Sequence, residues 1–283
     1  MLRTIVVTGG DELFAEFMLE SIASLIDVGI QASADIGVID QGLSETSRDA
    51  VSALGLKIAS PEWPSFVPTN LRDKRQIGLL NRPFLRDLFP GYDVYLWFDA
   101  DAWAQNAEFF DVYVQGAARD GAAVALENGA GYRKNWREIK WWMGNHVAAY
   151  GPVRGARLAL KTSINIGILS IRSNAEHWDS WISQYRRTIE KTGKLNLDQH
   201  AFHATVHLDQ CRTMLLPARM NWLPILSTPV LDKGERVLRE PGGRDAISIV
   251  HLAGPDKRRA YAPKGDSGLT TPLDYRSIRQ LRP

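Results

Sequence analysis

Cysteine is all but missing from this chain: Cys211 is the only one among 283 residues. No intramolecular disulfide can form, a reducing compartment is expected, and Cys211 itself reads as a small buried apolar residue. Long apolar runs are missing too. Nothing approaches the ~18 consecutive apolar residues of a membrane span. The apolar start Met1–Thr8 is too short for a signal peptide and reads as a first core strand. Charge of one sign is scarce: 34 Lys and Arg against 32 Asp and Glu leave a formal +2, which gives no reason to propose nucleic acid. No internal repeat, low-complexity tract or Pro/Ser-rich linker interrupts the chain, so one continuous domain is expected. These absences leave a cytoplasmic protein, soluble or at most peripheral to a membrane.

What is present is a composition ordinary for a globular protein, 45% hydrophobic and 23% charged, and an alternation of strand-like and helix-like segments. Strands are expected over 3–8, 34–40, 56–59 and 94–98, with helices over 11–26, 44–54 and 76–89 between them. This pattern reads as βαβ units and a mainly parallel sheet. Further on, strands are expected over 122–126, 164–171 and 247–252, and helices over 175–191 and 198–207.

The most informative stretch runs from Val94 to Asp101. Val94, Tyr95, Leu96, Trp97 and Phe98 form a continuous apolar run, the pattern of a strand buried on both faces. It ends in Asp99 and Asp101, whose side chains point the same way along an extended chain. Two anions that close repel unless a cation lies between them or one takes a proton, and oxygen ligands of this kind suit Mg²⁺ or Mn²⁺. The plain alternative is a solvated turn after a strand.

Other segments carry chemistry of their own. His251 ends the apolar run Ile247–Val250, and an imidazole there can complete the coordination begun by the aspartates, tilting the choice to Mn²⁺. Gly254 lets backbone approach a phosphate, and Lys257 offers it a charge. Gly9, Gly10 and Asp11 turn from a strand into a helix N-terminus, a place suited to anion or nucleotide contacts. Residues 127–150 hold Tyr132, Trp136, Trp141, Trp142 and His146 without clean periodicity, which suggests a mobile substrate platform. His200, His203 and His207 fall on one face of a helix; a shared zinc needs an awkward two-turn reach, so a polar helix face is expected. Asp198 is expected to cap that helix. From Pro255 onward seven basic residues face three acidic ones, which fits a phosphate-facing loop or a patch for anionic membranes.

In their order these motifs resemble the retaining GT-A glycosyltransferases of the glycogenin and bacterial lipopolysaccharide galactosyltransferase type. The resemblance implies a Rossmann-like α/β GT-A domain over residues 1–257, its mainly parallel central sheet flanked by helices, followed by a basic tail over 258–283. It implies Thr8 and Asp11 on the nucleoside, Phe14 stacked on the base, and Arg82 reaching the donor. Asp99, Asp101 and His251 would hold Mn²⁺ or Mg²⁺, and Lys257 the diphosphate. Asn165, in an Asn-x-Gly strand, would contact the sugar; Asp198 would take its hydroxyls, and Gln199 would lie near the anomeric carbon. Four features depart from the pattern: Arg258 and Arg259 stand in place of Pro-Trp, His200 and His203 in place of an acidic residue and an Asn, and, more mildly, there are the Gly9-Gly10 turn and Phe14 in place of Tyr.

The implied activity is metal-dependent transfer of a hexose from a UDP-sugar to a saccharide, lipid-linked or protein acceptor, with retention by front-face attack. The acceptor would lie against 132–146, with Glu127 a candidate contact. Two rivals remain at the sequence level. One is a catalytically weak sugar-nucleotide-binding protein of the same fold. The other is an aspartate-dependent phosphohydrolase, against which Ala102 stands where that motif needs Thr or Val.

Overall fold

The computed structural model describes residues 2–72, 76–232, 234–235, 237–243, 245–254 and 275–279. Its strands are β1 (Thr4–Gly10), β2 (Asp35–Asp40), β3 (Lys57–Ala59), β4 (Val94–Phe98), β5 (Ala102–Ala104), β6 (Ala122–Leu126), β7 (Ile164–Arg172), β8 (Thr213–Leu216), β9 (Val230–Asp232), β10 (Val237–Arg239) and β11 (Ile249–His251). Its helices are α1 (Ala15–Asp27), α2 (Glu45–Ala53), α3 (Ile77–Asn81), α4 (Leu85–Leu88), α5 (Glu108–Asp120), α6 (Trp136–Tyr150), α7 (Pro152–Ala159), α8 (His177–Thr192), α9 (Asp198–His207) and α10 (Tyr275–Arg279). Among the described residues no helix is long and apolar enough to cross a membrane.

Seven strands form one sheet in the order β3-β2-β1-β4-β7-β6-β8. The pairs β2–β3, β1–β2, β1–β4 and β6–β8 are parallel, while β7 runs antiparallel to both of its neighbours. The mainly parallel α/β sheet read from the sequence is therefore present. Strand β4 shows why its run is continuous rather than alternating. Tyr95 and Trp97 enter a core with Trp178, Trp181 and Tyr185 of α8; Leu96 and Phe98 enter another with Phe109 and Tyr113 of α5. The Tyr95 ring meets Trp178 edge-on at 5.7 Å, and its hydroxyl donates to the Phe89 carbonyl at 2.9 Å.

This topology places the site. Because β1 and β4 are parallel neighbours, with Val7 opposite Trp97, the turn after β1 and the carboxylates after β4 emerge at the same sheet edge. The small antiparallel pair of β5 and β11 then sets His251 opposite Ala102.

Several boundaries differ from expectation for local reasons. The expected helix over 76–89 is broken into α3 and α4 at Arg82 and Pro83, since proline lacks the N–H a helix interior needs. The helix expected from Asp11 opens with a 3-10 turn, Glu12–Phe14, capped by the Asp11 side chain accepting from Phe14 N at 3.2 Å. Residues 127–150 do not form an irregular platform. Most of the segment is α6, begun by a capping box in which Asn135 and Glu138 satisfy each other's backbone N–H groups. Strand β5, helix α5, strand β8 and the β9–β10 hairpin carry no expectation from the sequence. Cys211 is buried and free, as expected.

The polar face expected on α9 is absent. His200 and His203 are 0% exposed, and so is His146 of α6. Their rings pack together, with His146 4.6 Å from His200 and 5.2 Å from His203, and Trp142 4.5 Å from His200. Burial pushes all three imidazoles down, each to about 3. They stay neutral when folded but gain a proton in the unfolded chain below its ordinary value of 6.5. Their contribution is thus complete above about pH 6.5 and is lost as pH falls toward about 3, at up to roughly 1.4 kcal/mol per pH unit for each imidazole. Urea unfolding of the wild type should therefore weaken more steeply between about pH 6.5 and pH 4 than that of His200→Phe; equal slopes would contradict the burial argument.

Candidate active site

Strand β4 delivers Asp99, and the turn after it delivers Asp101. Asp99 Oδ1 is fully occupied: it accepts from Trp97 Nε1 at 2.7 Å and from Arg82 Nη2 in a close ion pair. Its Oδ2 faces His251, whose Nε2 lies 3.4 Å from Asp99 Oδ2 and 3.4 Å from Asp101 Oδ1. Among the described residues, Asp99, Asp101 and His251 are the one group whose ligand atoms all lie within 4.8 Å of one another. The imidazoles of α9 do not form such a group.

Gly167 of β7 makes the room. A Cβ there would sit 2.2 Å from His251 Cε1 and 2.7 Å from Asp99 Oδ2, so any side chain would fill the space between the three ligands. Asn221, which sequence reasoning missed, sets the imidazole. Its Oδ1 lies 3.0 Å from His251 Nδ1, and its Nδ2 donates to Asn165 Oδ1 at 2.9 Å. With the amide nitrogen turned to Asn165, Oδ1 accepts from an Nδ1–H, which leaves the Nε2 lone pair for a cation. The site thus offers carboxylate oxygens and one imidazole nitrogen in the space that Gly167 leaves open, a donor set that fits a divalent cation of the Mn²⁺ class.

The chain of amides continues. Asn165 Nδ2 donates to Glu127 Oε1 at 3.1 Å, and Gln199 Nε2 donates to the same oxygen at 3.3 Å. Glu127 Oε2 accepts from Lys134 Nζ at 2.6 Å and from Ser163 Oγ at 3.0 Å. A carboxylate oxygen accepts, so Asn165 and Gln199 turn their NH₂ groups to Glu127, which leaves Asn165 Oδ1 to accept from Asn221 Nδ2. Glu127 therefore orients both Gln199 and, through Asn165 and Asn221, His251.

Arg82 is 7% exposed and bridges Asp99 to Asp198, donating to Asp198 Oδ2 at 3.0 Å while its guanidinium lies over the Trp97 ring at 4.9 Å. Burial opposes its charge, but Asp99 and Asp198 outweigh burial and hold its pKa above the usual value. Asp198 moves up: burial raises it and nearby Asp99 adds to that, with Arg82 pulling the other way. Asp198 does not cap α9 through its side chain, as the sequence suggested; it is the first residue of that helix and turns to Arg82 instead.

Two cavities meet at this ion pair. One, of about 270 Å³, is lined by Gly10, Asp11, Phe14, Gln41, Arg82 and Asp99. Thr8 is 0% exposed at the end of β1, and its hydroxyl has no partner among the described residues. The other cavity, of about 570 Å³, is lined by Glu127, Trp141, Asn165, Asp198, Gln199 and Gly254. Gly254 has φ +108°, a conformation that favours glycine. Lys257, Arg258 and Arg259 lie outside the described residues.

No protein-family model matches the chain, and no curated protein sequence matches it. Solved structures do. The galactosyltransferase LgtC, in complex with donor and acceptor sugar analogues, aligns over 98% of this chain and 94% of its own, at 15% identity and a TM-score of 0.60. The bifunctional glycosyltransferase WbbM aligns over 99% of this chain and 52% of its own, at 14% identity and a TM-score of 0.58. Mouse xyloside xylosyltransferase 1 aligns over 88% and 96%, at 14% identity and a TM-score of 0.51. At such identities the likeness is one of fold: the chain has the GT-A fold that these glycosyltransferases share.

The amide series makes a distinctive demand. Replacing Asn221 with Leu removes the acceptor for His251 Nδ1 and should weaken Mn²⁺ binding, measured by calorimetry, by roughly 10- to 100-fold. Asn221→Asp still accepts that proton and should retain most of the affinity. Equal losses in both variants would contradict the orienting role.

Proposed function

We propose that the chain is a metal-dependent glycosyltransferase that moves a hexose from a nucleoside-diphosphate sugar, of the UDP type, to a saccharide, lipid-linked or protein acceptor. The observation that carries the proposal is the convergence of Asp99, Asp101 and His251 at the sheet edge, between a cavity sized for a nucleotide and a larger one beyond Asp198. The GT-A fold supports it, and so do the donor and acceptor analogues bound by LgtC.

In this reading the nucleoside lies in the smaller cavity, with Asp11 at its polar edge, Phe14 offering a ring face to the base, and Thr8 buried in the strand that leads to it. Asp99, Asp101 and His251 would hold Mn²⁺ or Mg²⁺, which would supply positive charge against the charge developing on the leaving diphosphate. Lys257 adds a positive charge there, and Gly254 allows close backbone approach. Asp198 and Asn165 take hydroxyls of the donor sugar. Gln199 donates its NH₂ to Glu127, so its amide oxygen is the end left to face a developing oxocarbenium centre. Front-face attack then retains configuration: the acceptor oxygen bonds to the anomeric carbon as the diphosphate departs, and a phosphate oxygen takes the acceptor's proton. Trp141 and Trp142 line the acceptor side, where ring faces suit a sugar. A cytoplasmic location, where nucleotide sugars are at hand, belongs to the same proposal.

Incubation with a panel of UDP-sugars and Mn²⁺ should release UDP, and Asp101→Ala should lower that release by at least ~100-fold. Manganese-independent phosphatase activity, or the absence of UDP-sugar binding in calorimetry, would overturn the reading.

A further inference from the structure

Helices α6 and α7 form a tightly packed hairpin on the rim of the larger cavity. Gly155 allows the close approach: a Cβ there would lie 2.4 Å from the His146 carbonyl oxygen and 2.5 Å from Val147 Cα. Inward, Asn145, His146, Ala149 and Tyr150 are buried. Outward, the hairpin is unusually apolar. Ten large hydrophobic side chains are exposed among the described residues, and six of them fall here: Trp136 at 67%, Ile139 at 37%, Trp141 at 47%, Met143 at 39%, Val153 at 63% and Leu160 at 78%. Trp136, Ile139 and Met143 are spaced i, i+3 and i+7, so they share a face of α6; Val153 lies in the first turn of α7 and Leu160 at its C-cap.

The same surface is strongly basic. From Arg133 to Lys161 there are seven basic residues and a single acidic one, Glu138, in a chain whose total formal charge is only +2. Arg137, Lys140, Arg154 and Arg157 make no ion pair with any described residue, and Lys140 Nζ rests 5.7 Å from the Trp136 ring centroid. Exposed tryptophan and aliphatic side chains interleaved with unpaired cations are the composition of a helix that lies in a bilayer interface. Nucleic acid would match the charge but leave the aliphatic side chains in water. The basic tail, by contrast, spends its described cations within the fold: Arg276 pairs with Glu20 at 2.7 Å and Arg279 with Asp27 at 2.9 Å.

We propose that the outer face of the α6–α7 hairpin docks on an anionic phospholipid surface. Trp136, Met143 and Leu160 enter the interface, and Arg137, Lys140, Arg154 and Arg157 meet the headgroups. Trp141, 47% exposed on another side of α6, lines the larger cavity, so docking of the hairpin brings the rim of that cavity near the bilayer. Resting on the glycosyltransferase reading, this favours the lipid-linked class of acceptor; the docking itself does not depend on that reading.

Flotation of the full chain with vesicles, which needs no enzymatic readout, tests it. The protein should float with vesicles containing phosphatidylglycerol, remain behind with pure phosphatidylcholine, and be released by high salt. Trp136→Ser with Met143→Ser and Leu160→Ser should weaken partitioning more than tenfold. Charge removal at Arg137, Lys140, Arg154 and Arg157 should weaken it roughly fivefold per residue. All these side chains are exposed, so thermal unfolding should confirm intact folding in both variants. Failure of the wild type to float, or flotation that both variants leave unchanged, overturns the proposal. Self-association in light scattering that the apolar variant abolishes, without vesicle binding, overturns it in favour of a second copy of this chain.

Discussion

Three carboxylates, Asp99, Asp101 and Asp198, converge where a fully buried strand leaves the sheet, and the structure around them is arranged to hold that negative charge in place. Arg82 answers part of it. Its guanidinium is tied to Asp99 and Asp198, buried against Trp97, and fixed at the break that Pro83 imposes between α3 and α4. Among the described residues Arg82 ion-pairs with two of the three, Asp99 and Asp198. His251 Nε2 lies 3.4 Å from both Asp99 Oδ2 and Asp101 Oδ1, a set of oxygen and nitrogen donors that suits a divalent ion. Repulsion between close carboxylates, which would otherwise raise a pKa or push the chain apart, becomes the reason a cation belongs there.

Position and orientation come from different parts of the molecule. The parallel β1–β4 pair brings the turn at Asp11 and the aspartates to one edge, and the β5–β11 pair adds His251. Orientation comes from Glu127, which accepts from Asn165 and Gln199 while Lys134 offsets its charge. Because each amide in the series has its direction dictated by the next, the two cavities share one hydrogen-bonded frame. A change at Glu127, in the larger cavity, therefore reaches the His251 imidazole without altering either strand.

Much of this was legible in the sequence. Val94–Asp101 announced a doubly buried strand ending in two carboxylates, and the apolar run before His251 announced a second strand end. Asn221 was not legible: it is a lone polar residue in an irregular stretch, placed beside His251 because Trp222 N donates to the Ile249 carbonyl at 2.8 Å and His251 N to the Trp222 carbonyl at 2.9 Å. Helix α6 was hidden because it carries large apolar or aromatic groups both inward and outward, which erases the 3.6-residue period. The Asn135–Glu138 capping pair was the signal that marked its start. His200 and His203 read as polar because imidazole usually is; the aromatic rings of α6 make a core of them instead. Lys257 and the departures at Arg258 and Arg259 concern residues outside those described.

The central claim is that Asp99, Asp101 and the Nε2 of His251 hold one divalent cation at the donor site. Anomalous diffraction from crystals grown with Mn²⁺ and UDP tests it most directly. The account predicts a single manganese peak within about 2.0–2.3 Å of Asp99 Oδ2, a carboxylate oxygen of Asp101 and His251 Nε2, with diphosphate oxygens completing the shell. UDP bound in the smaller cavity with no manganese beside these three side chains, or manganese bound elsewhere, would contradict it.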